Sequence, residues 1–429
     1  MIIEFRVKNH RCFLGEQVLS MVAGPDKSLP DNVFTEDKFR LLRSAAIYGP
    51  NASGKSSLIE ALGFMRDFVV NSGQAKPGDP IAVNPHRLDA ASAKEPSLFE
   101  LTFILDGTRY QYGFTATRQR VLDEWLYSYP TNKAREWFRR EWDAKANKPK
   151  YVFPSQNLKG RKQEIADETG ENRLFLSWAA NRNHEQLLPI YEWFSKRLRE
   201  LPPKDYLAPV TAQMAFSVEV MRGAVVQMLQ SADFGISDIQ ITERKLDESC
   251  LGELKGVKDL GEKERSKLID AVKAECDRNP RFDVQLAHRG VRDMTASFSL
   301  KQESDGTQRF FSLIGPWLAS LRLGYTVFVD EIDASLHPML TRKLIEVFHD
   351  PKWNTSGAQL ILTTHDVSLM DSSLFRRDQI WLTEKDGEGA AHLYSLNDYK
   401  KPRKEENWRK GYMAGRYGAV PVLGDFDKP

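Results

Sequence analysis

The stretch Ala45-Ala46-Ile47-Tyr48-Gly49-Pro50-Asn51-Ala52-Ser53-Gly54-Lys55-Ser56-Ser57 decides how the rest of the chain reads. A short apolar run ends in a glycine, and the pattern closes on Gly-Lys-Ser with the spacing G-x-x-x-x-G-K-[ST] of a phosphate-binding loop. Each part has a chemical reason. Gly49 and Gly54 let the backbone turn tightly enough for successive N–H groups to face one phosphate chain. Lys55 is placed to reach the β- and γ-phosphates, and the Ser56 hydroxyl to ligand a magnesium ion. Leu58, Leu62, Met65 and Val69 recur at helical spacing, so a helix with one apolar face is expected next, its N-terminus toward the anion. Such a loop arises by chance in a chain of this length on the order of a few per cent of the time. A glycine-rich turn before an ordinary helix is the alternative, and the rest of the chain must decide.

Outward from the loop, the 429 residues are long for one core, and two or more lobes are expected. Sixty-one basic and fifty-nine acidic residues nearly cancel, so global charge announces neither a nucleic-acid nor a membrane partner. Cys12, Cys250 and Cys276 are odd in number and far apart, with no Cys-x-x-Cys pair; this fits a reducing cytoplasm and no zinc site. Met1-Ile2-Ile3-Glu4-Phe5-Arg6 carries an early acid and alternates like a strand, unlike a signal peptide. Phe310 to Val329 holds a single charge, Arg322, but Gly315-Pro316 and Gly324 interrupt it. A buried helix followed by a buried strand is expected there, and no membrane segment.

In chain order, residues 2–8 and 17–22 read as strands, 24–40 as loop and 71–96 as a connector rich in Gly, Pro, Ala and Asp. Residues 97–105 and 109–114 flank Asp106-Gly107, a strong hairpin turn, and 125–129 reads as a third antiparallel strand. Residues 133–162 carry ten Lys or Arg against three acids, interleaved with Trp137, Phe138, Trp142, Tyr151 and Phe153. Two readings stand there: single-stranded nucleic-acid binding through Arg135, Arg139 and Arg140, or a hairpin with one solvated face. Average composition favours the hairpin. Residues 171–280 are mostly helical in pattern, with an exposed charged helix expected over 243–278, and strands return near 282–287 and 296–300.

The second half of the site lies far along the chain. Val327-Phe328-Val329-Asp330-Glu331 is an apolar strand ending in two carboxylates, suited to hold magnesium through Asp330 and to take a proton from water through Glu331. Leu360-Ile361-Leu362-Thr363-Thr364-His365 is another buried strand, ending in a histidine able to hydrogen-bond a γ-phosphate. Glu303-Ser304-Asp305-Gly306-Thr307-Gln308 opens a helix and offers a second anion-binding terminus. One nucleotide is thus offered two half-sites, which two molecules arranged head-to-tail could close.

This set resembles the ABC-type P-loop ATPase heads of the SMC, RecF and OLD kind. Gly49–Ser56 matches their Walker A loop, Ser304–Gln308 their signature, Val327–Glu331 their Walker B, Ala334–Pro338 their D-loop and His365 their switch histidine. The signature here is Ser-Asp-Gly-Thr-Gln rather than Leu-Ser-Gly-Gly-Gln. Within that group the chain is similar over nearly its whole length to the bacterial AAA15/AAA_21 family (RloA-like). The likeness rests on the hairpin at 97–114, the Glu-Ser-x-Gly-Thr signature and the tail Gly415-Arg416-Tyr417-Gly418-Ala419-Val420-Pro421.

The resemblance implies an α/β ATPase head with an antiparallel β subdomain and an inserted helical lobe. The expected division is 1–132 for the first ATPase lobe, 133–281 for the mainly helical insertion, 282–398 for the second ATPase lobe and 399–429 for a tail. It implies ATP and Mg²⁺ as cofactors, bound by Gly49, Pro50, Asn51, Ala52, Ser53, Gly54, Lys55, Ser56 and Ser57, with Ser56 and Asp330 on the metal. Glu331 would activate water, His365 would sense the γ-phosphate, Ser304 and Gly306 would serve the partner's ATP, and Arg11 would lie near the nucleotide. Gln111 is the residue offered for the Q-loop.

A cytoplasmic ATPase is therefore expected, forming an ATP-dependent head-to-tail dimer or a higher homo-oligomer in an anti-phage or restriction-linked system. No nuclease constellation is visible in the sequence, so a separate nuclease or toxin is the expected effector. The alternatives are a RecF-like DNA-repair ATPase and a slow-turnover regulatory scaffold.

Overall fold

Strand Ser44–Tyr48 is buried along its whole length, which its unbroken apolar pattern requires of a strand covered on both faces. It lies inside a six-stranded sheet ordered Leu198–Glu200, Thr326–Val329, Gln359–Thr363, Ser44–Tyr48, Ile380–Lys385 and Ala391–Ser395. The first five strands run parallel, and the last is antiparallel to its neighbour. The computed structural model describes residues 1–131, 133–154, 157–201, 207–232, 234–244, 281–399 and 407–421.

A second, antiparallel sheet has seven strands in the order Lys148–Val152, Arg135–Asp143, Val121–Tyr129, Thr108–Ala116, Ser97–Leu105, Ile2–Lys8 and Gln17–Ser20. Its hairpin turns at Asp106-Gly107, both with positive φ, the geometry that suits the right-handed twist of the flanking strands. Phe99, Leu101, Phe103, Tyr112, Phe114, Leu126 and Phe138 supply its buried face. Helix α1, Lys55–Asn71, joins the two sheets into one core. Its Leu58, Leu62, Met65 and Val69 are buried as their spacing predicts, each worth about 1.5–3 kcal/mol of apolar transfer. Its Phe64 and Phe68 meet Phe99 and Phe114 at ring distances of 4.8 and 5.3 Å. Gln359 ties the sheets directly, accepting from Ile2 N at 2.6 Å and donating to Ile2 O at 3.0 Å.

The chain divides into two compact units. The first comprises Met1–Leu201, Ser320–Ala334 and Thr341–Pro429; the second comprises Pro202–Ala319 and Ser335–Leu340. Strands Arg135–Asp143 and Lys148–Val152 continue the antiparallel sheet and lie in the first unit. Along Arg135–Asp143 the two buried residues, Phe138 and Arg140, stand two apart on one face, and Arg139 between them is exposed. Residues 24–40, read as loop, contain the hairpin Val33–Glu36 with Phe39–Leu42. The described part of the tail belongs to the first unit. The Tyr417 carbonyl accepts from Tyr394 and Tyr399 at 3.0 and 2.7 Å, and Ala419 N donates to Glu384 at 2.8 Å.

The second unit holds helices Ala208–Ser217 and Glu219–Ser231, a three-stranded antiparallel sheet (Ile236–Arg244, Arg281–Arg289, Thr295–Ser299) and helix Asp305–Leu323 as far as Ala319. Pro316 sits inside that last helix and has no N–H for the Ser312 carbonyl four residues back. The Thr211 hydroxyl supplies the missing donor at 3.2 Å. The charged helix expected over 243–278 falls on strand residues at 243–244 and otherwise outside the described residues, as do Cys250 and Cys276. Among the described residues no helix is long and apolar enough to cross a membrane.

The three arginines proposed to bind nucleic acid are not equivalent. Arg140 is fully buried, 3.7 Å from the fully buried Glu124, and donates to the carbonyls of Arg173 and Gly170 at 2.6 and 3.2 Å. It is a core residue and presents nothing to phosphate. Glu124 accepts from Phe175 N, Leu176 N and Tyr112 OH at 2.7, 3.0 and 2.9 Å, so it satisfies the first turn of helix Phe175–Asn181. Burial pushes its carboxyl above the usual carboxylate range, and Arg140 opposes that shift. Arg139 is exposed but paired to Glu136 and Glu141. Removing Arg140 alone strands a buried carboxylate, so Arg140→Ala is expected to destabilise the protein by about 3–5 kcal/mol in urea unfolding. A loss below about 1 kcal/mol would show that Glu124 does not depend on it.

Candidate functional site

Parallel pairing sets the site's floor. The register joins Val329 to Leu362, Leu362 to Ala46 and Thr363 to Ile47, so the three strands end at one level and their following loops share one edge. That edge is where ligands bind in parallel α/β sheets. From it rise Gly49–Ser57, Asp330, Glu331 and His365.

The loop is tightly confined. A side chain on Gly49 would overlap the Thr383 backbone carbonyl and would sit 2.5 Å from its hydroxyl. Gly54 has φ +121°, and a Cβ there would sit 3.2 Å from Cys12 Sγ and 3.1 Å from Ala391. Ala52 also takes a left-handed φ, +61°. No side chain caps the N-terminus of α1, so its first amides are left for another acceptor. Lys55 is almost wholly buried, and its ammonium donates to the carbonyls of Gly49 and Pro50 at 2.7 and 2.9 Å. Burial lowers its pKa, while the charges of Asp330, Glu331 and Asp333 act to raise it. Those three carboxylates are therefore within electrostatic reach of the loop lysine. Ser56 is exposed at the mouth and Ser57 half-buried.

Across from the loop, Thr363 organises both acids. Its hydroxyl donates to Asp330 Oδ1 at 2.6 Å and accepts from Glu331 N at 2.8 Å. Glu331 has φ +48°, a conformation a non-glycine residue keeps only when its surroundings hold it there. Its carboxylate is exposed and lies 3.6 Å from His365 Nε2. Asp333 accepts from His365 N at 3.3 Å, joining the two loops through the backbone. Arg11, also at positive φ, pairs with Glu60 of α1 at 2.7 Å, and the neighbouring Cys12 touches the loop at Gly54. Gln111 lies elsewhere, held in the antiparallel sheet by Glu100 and Tyr129 at 2.9 and 2.6 Å.

In the second unit, Ser304 caps helix Asp305–Leu323 by accepting from Thr307 N at 3.2 Å, with Gly306 in the first turn. Sequence reasoning did not single out Thr363, Asp333 or Thr383. Thr363 and Thr383 each interrupt an apolar strand near its C-terminal end, which is the signal that was available.

The donor set fits a nucleotide with its metal. Uncapped amides and a lysine resting on loop carbonyls suit phosphate, and a hydroxyl with a carboxylate supplies the hard oxygens Mg²⁺ takes. The family model described as "AAA domain, putative AbiEii toxin, Type IV TA system" matches residues 44–371, more than half of the chain. The chain belongs to the AAA_21 family. In this AAA_21 protein the loop strand, both acids and the histidine stand at the ends of neighbouring parallel strands of one sheet. No curated protein matches it. Among solved structures, an SmcHead bound to the C-winged helix domain of ScpA is similar at 11% identity and TM-score 0.41, covering 92% of this chain and 97% of that one. An Smc head domain with an extended coiled coil, bound to the C-terminal domain of ScpA from Pyrococcus furiosus, is similar at 11% identity and TM-score 0.37, covering 92% and 96%. At such scores neither carries the assignment, which rests on the family match.

If Thr363 holds the acids, Thr363→Val should cost about 1–3 kcal/mol in urea unfolding, because two polar groups lose their partner while the shape is kept. Thr363→Ser should recover most of that. Equal stability of the valine variant and wild type would mean the hydroxyl orients nothing.

Proposed function

We propose that the protein binds ATP with Mg²⁺ on this edge and hydrolyses it. The carrying observation is that the loop lysine Lys55 lies within electrostatic reach of Asp330 and the strained Glu331, whose carboxylate is 3.6 Å from His365 Nε2. Gly49–Ser57 and the α1 terminus bind the phosphates, with Lys55 leaving the loop carbonyls for them. Ser56 and Asp330 would hold the metal, whose contribution is to neutralise charge on the phosphates. Glu331 is the base for the attacking water, and His365, 3.6 Å away, orients it or the γ-phosphate. Arg11, beside the loop, assists phosphate binding. Ser304 and Gly306, at a capped helix terminus, serve the ATP of a second copy, so ATP joins two copies head-to-tail.

We further infer an ATPase subunit that controls a separate toxin or nuclease in a defence system. The family description sets AAA domains of this kind in type IV toxin–antitoxin systems, and the sequence resemblance to defence ATPases supplies the separate effector. Purification together with the product of an adjacent gene tests that part. A stable complex that changes with ATP supports it, whereas turnover stimulated by DNA without such a complex favours the repair reading.

Glu331→Gln should keep ATP affinity and slow phosphate release by about a hundredfold or more. Hydrolysis at the wild-type rate would remove Glu331 from its role. Ser304→Arg should bind ATP as a monomer yet fail to form the ATP-dependent dimer in light scattering, since a bulky cation would then meet the partner's nucleotide. Normal dimerisation of that variant counts against the head-to-tail arrangement.

A further inference from the structure

Two buried hydroxyls meet behind the phosphate loop. Thr383, in strand Ile380–Lys385, is fully buried, and its Oγ1 lies 2.6 Å from Ser53 Oγ. The same hydroxyl reaches the Tyr48 carbonyl at 3.3 Å. A threonine has one proton and a carbonyl only accepts, so when Thr383 donates to Tyr48 it accepts from Ser53. Ser53 is itself 2% exposed, which leaves its hydroxyl no exchange with bulk water. Thr383 also fills the space beside Gly49, where any Cβ would strike its carbonyl and hydroxyl. One residue thus touches the loop at Gly49, at Ser53 and at the carbonyl that precedes it. Lys55 holds the same loop from inside through Gly49 O and Pro50 O. When Lys55 turns to phosphate, the Thr383 contacts remain, beside the loop's own bond from Ser53 N to Pro50 O at 3.3 Å.

We propose that Thr383 is a positioning residue, a latch that holds the phosphate loop in its anion-accepting form before and after nucleotide arrives. This rests on the nucleotide-site reading and extends it by assigning the loop's pre-organisation to one side chain on another strand. A pre-organised loop spends no binding energy on ordering itself, so the latch acts on affinity rather than on the chemical step.

The test uses the full chain with Thr383→Val, Thr383→Ser and Ser53→Ala. Hydrogen exchange without nucleotide should accelerate about tenfold in residues 49–57 of the valine variant, with the rest of the chain unchanged. Titration with MgATP should show Kd raised about tenfold and kcat at saturation within about twofold. Thr383→Ser should restore both, and Ser53→Ala should reproduce the faster loop exchange, with the double variant exchanging no faster than either single one. The latch is overturned if the valine variant exchanges like wild type in the loop, if exchange rises across the whole sheet, or if Thr383→Ser fails to rescue. Should wild type not bind MgATP, the nucleotide reading falls, while the exchange measurement still passes or fails the latch by itself. If Thr383→Val does not fold, Ser53→Ala carries the exchange readout from the loop side.

Discussion

Strand Ser44–Tyr48 lies between Gln359–Thr363 and Ile380–Lys385, and every feature of the site depends on that pairing. The loop's contact with its neighbour joins Ser53 to Thr383, 330 residues apart in sequence. Closing so long a separation costs chain entropy that only burial on both faces of the sheet offsets. Ala45, Ile47, Phe328 and Ile361 of these strands share one core with α1 and the antiparallel sheet. The site is therefore complete only when both ends of the chain have met.

Buried polar groups set how the pieces register. Gln359 bonds Ile2 on both its N–H and its carbonyl, fixing the first strand of one sheet against a central strand of the other. Ser44 and Gln379 meet His349, which burial holds neutral with its pKa lowered to about 3. Glu124 and Arg140 do comparable work under the outer hairpin, satisfying a helix terminus and two loop carbonyls that apolar packing would leave unpaired. Such groups add modest net stability but penalise every alternative packing, because each misplacement strands a polar atom.

The same principle explains where strain collects. Glu331 and Ala52 keep left-handed backbones beside the loop, and Glu331 is held there by the Thr363 hydroxyl. Conformations of this kind cost of order 1–3 kcal/mol each and survive when surrounding contacts over-determine them. Here the contacts come from the rigid end of a parallel sheet, which explains why the acids sit on strand ends and not on long loops.

Much of this was legible in the sequence. The loop spacing, the apolar run into Asp330-Glu331, the strand into His365 and the Asp106-Gly107 hairpin are local patterns with local causes, and the structure places each on the element expected. Residues 133–162 were harder, because their basic and aromatic composition admits both a nucleic-acid surface and a hairpin with one solvated face. Only pairing with Val121–Tyr129 turned Arg140 into the core and left Arg139 outside. The division of the chain, the partners of Ser53 and the hold of Thr363 on both acids could not be read in advance. They depend on which distant strands become neighbours and in what register, and a shift of one residue would turn each of those hydroxyls to the opposite face.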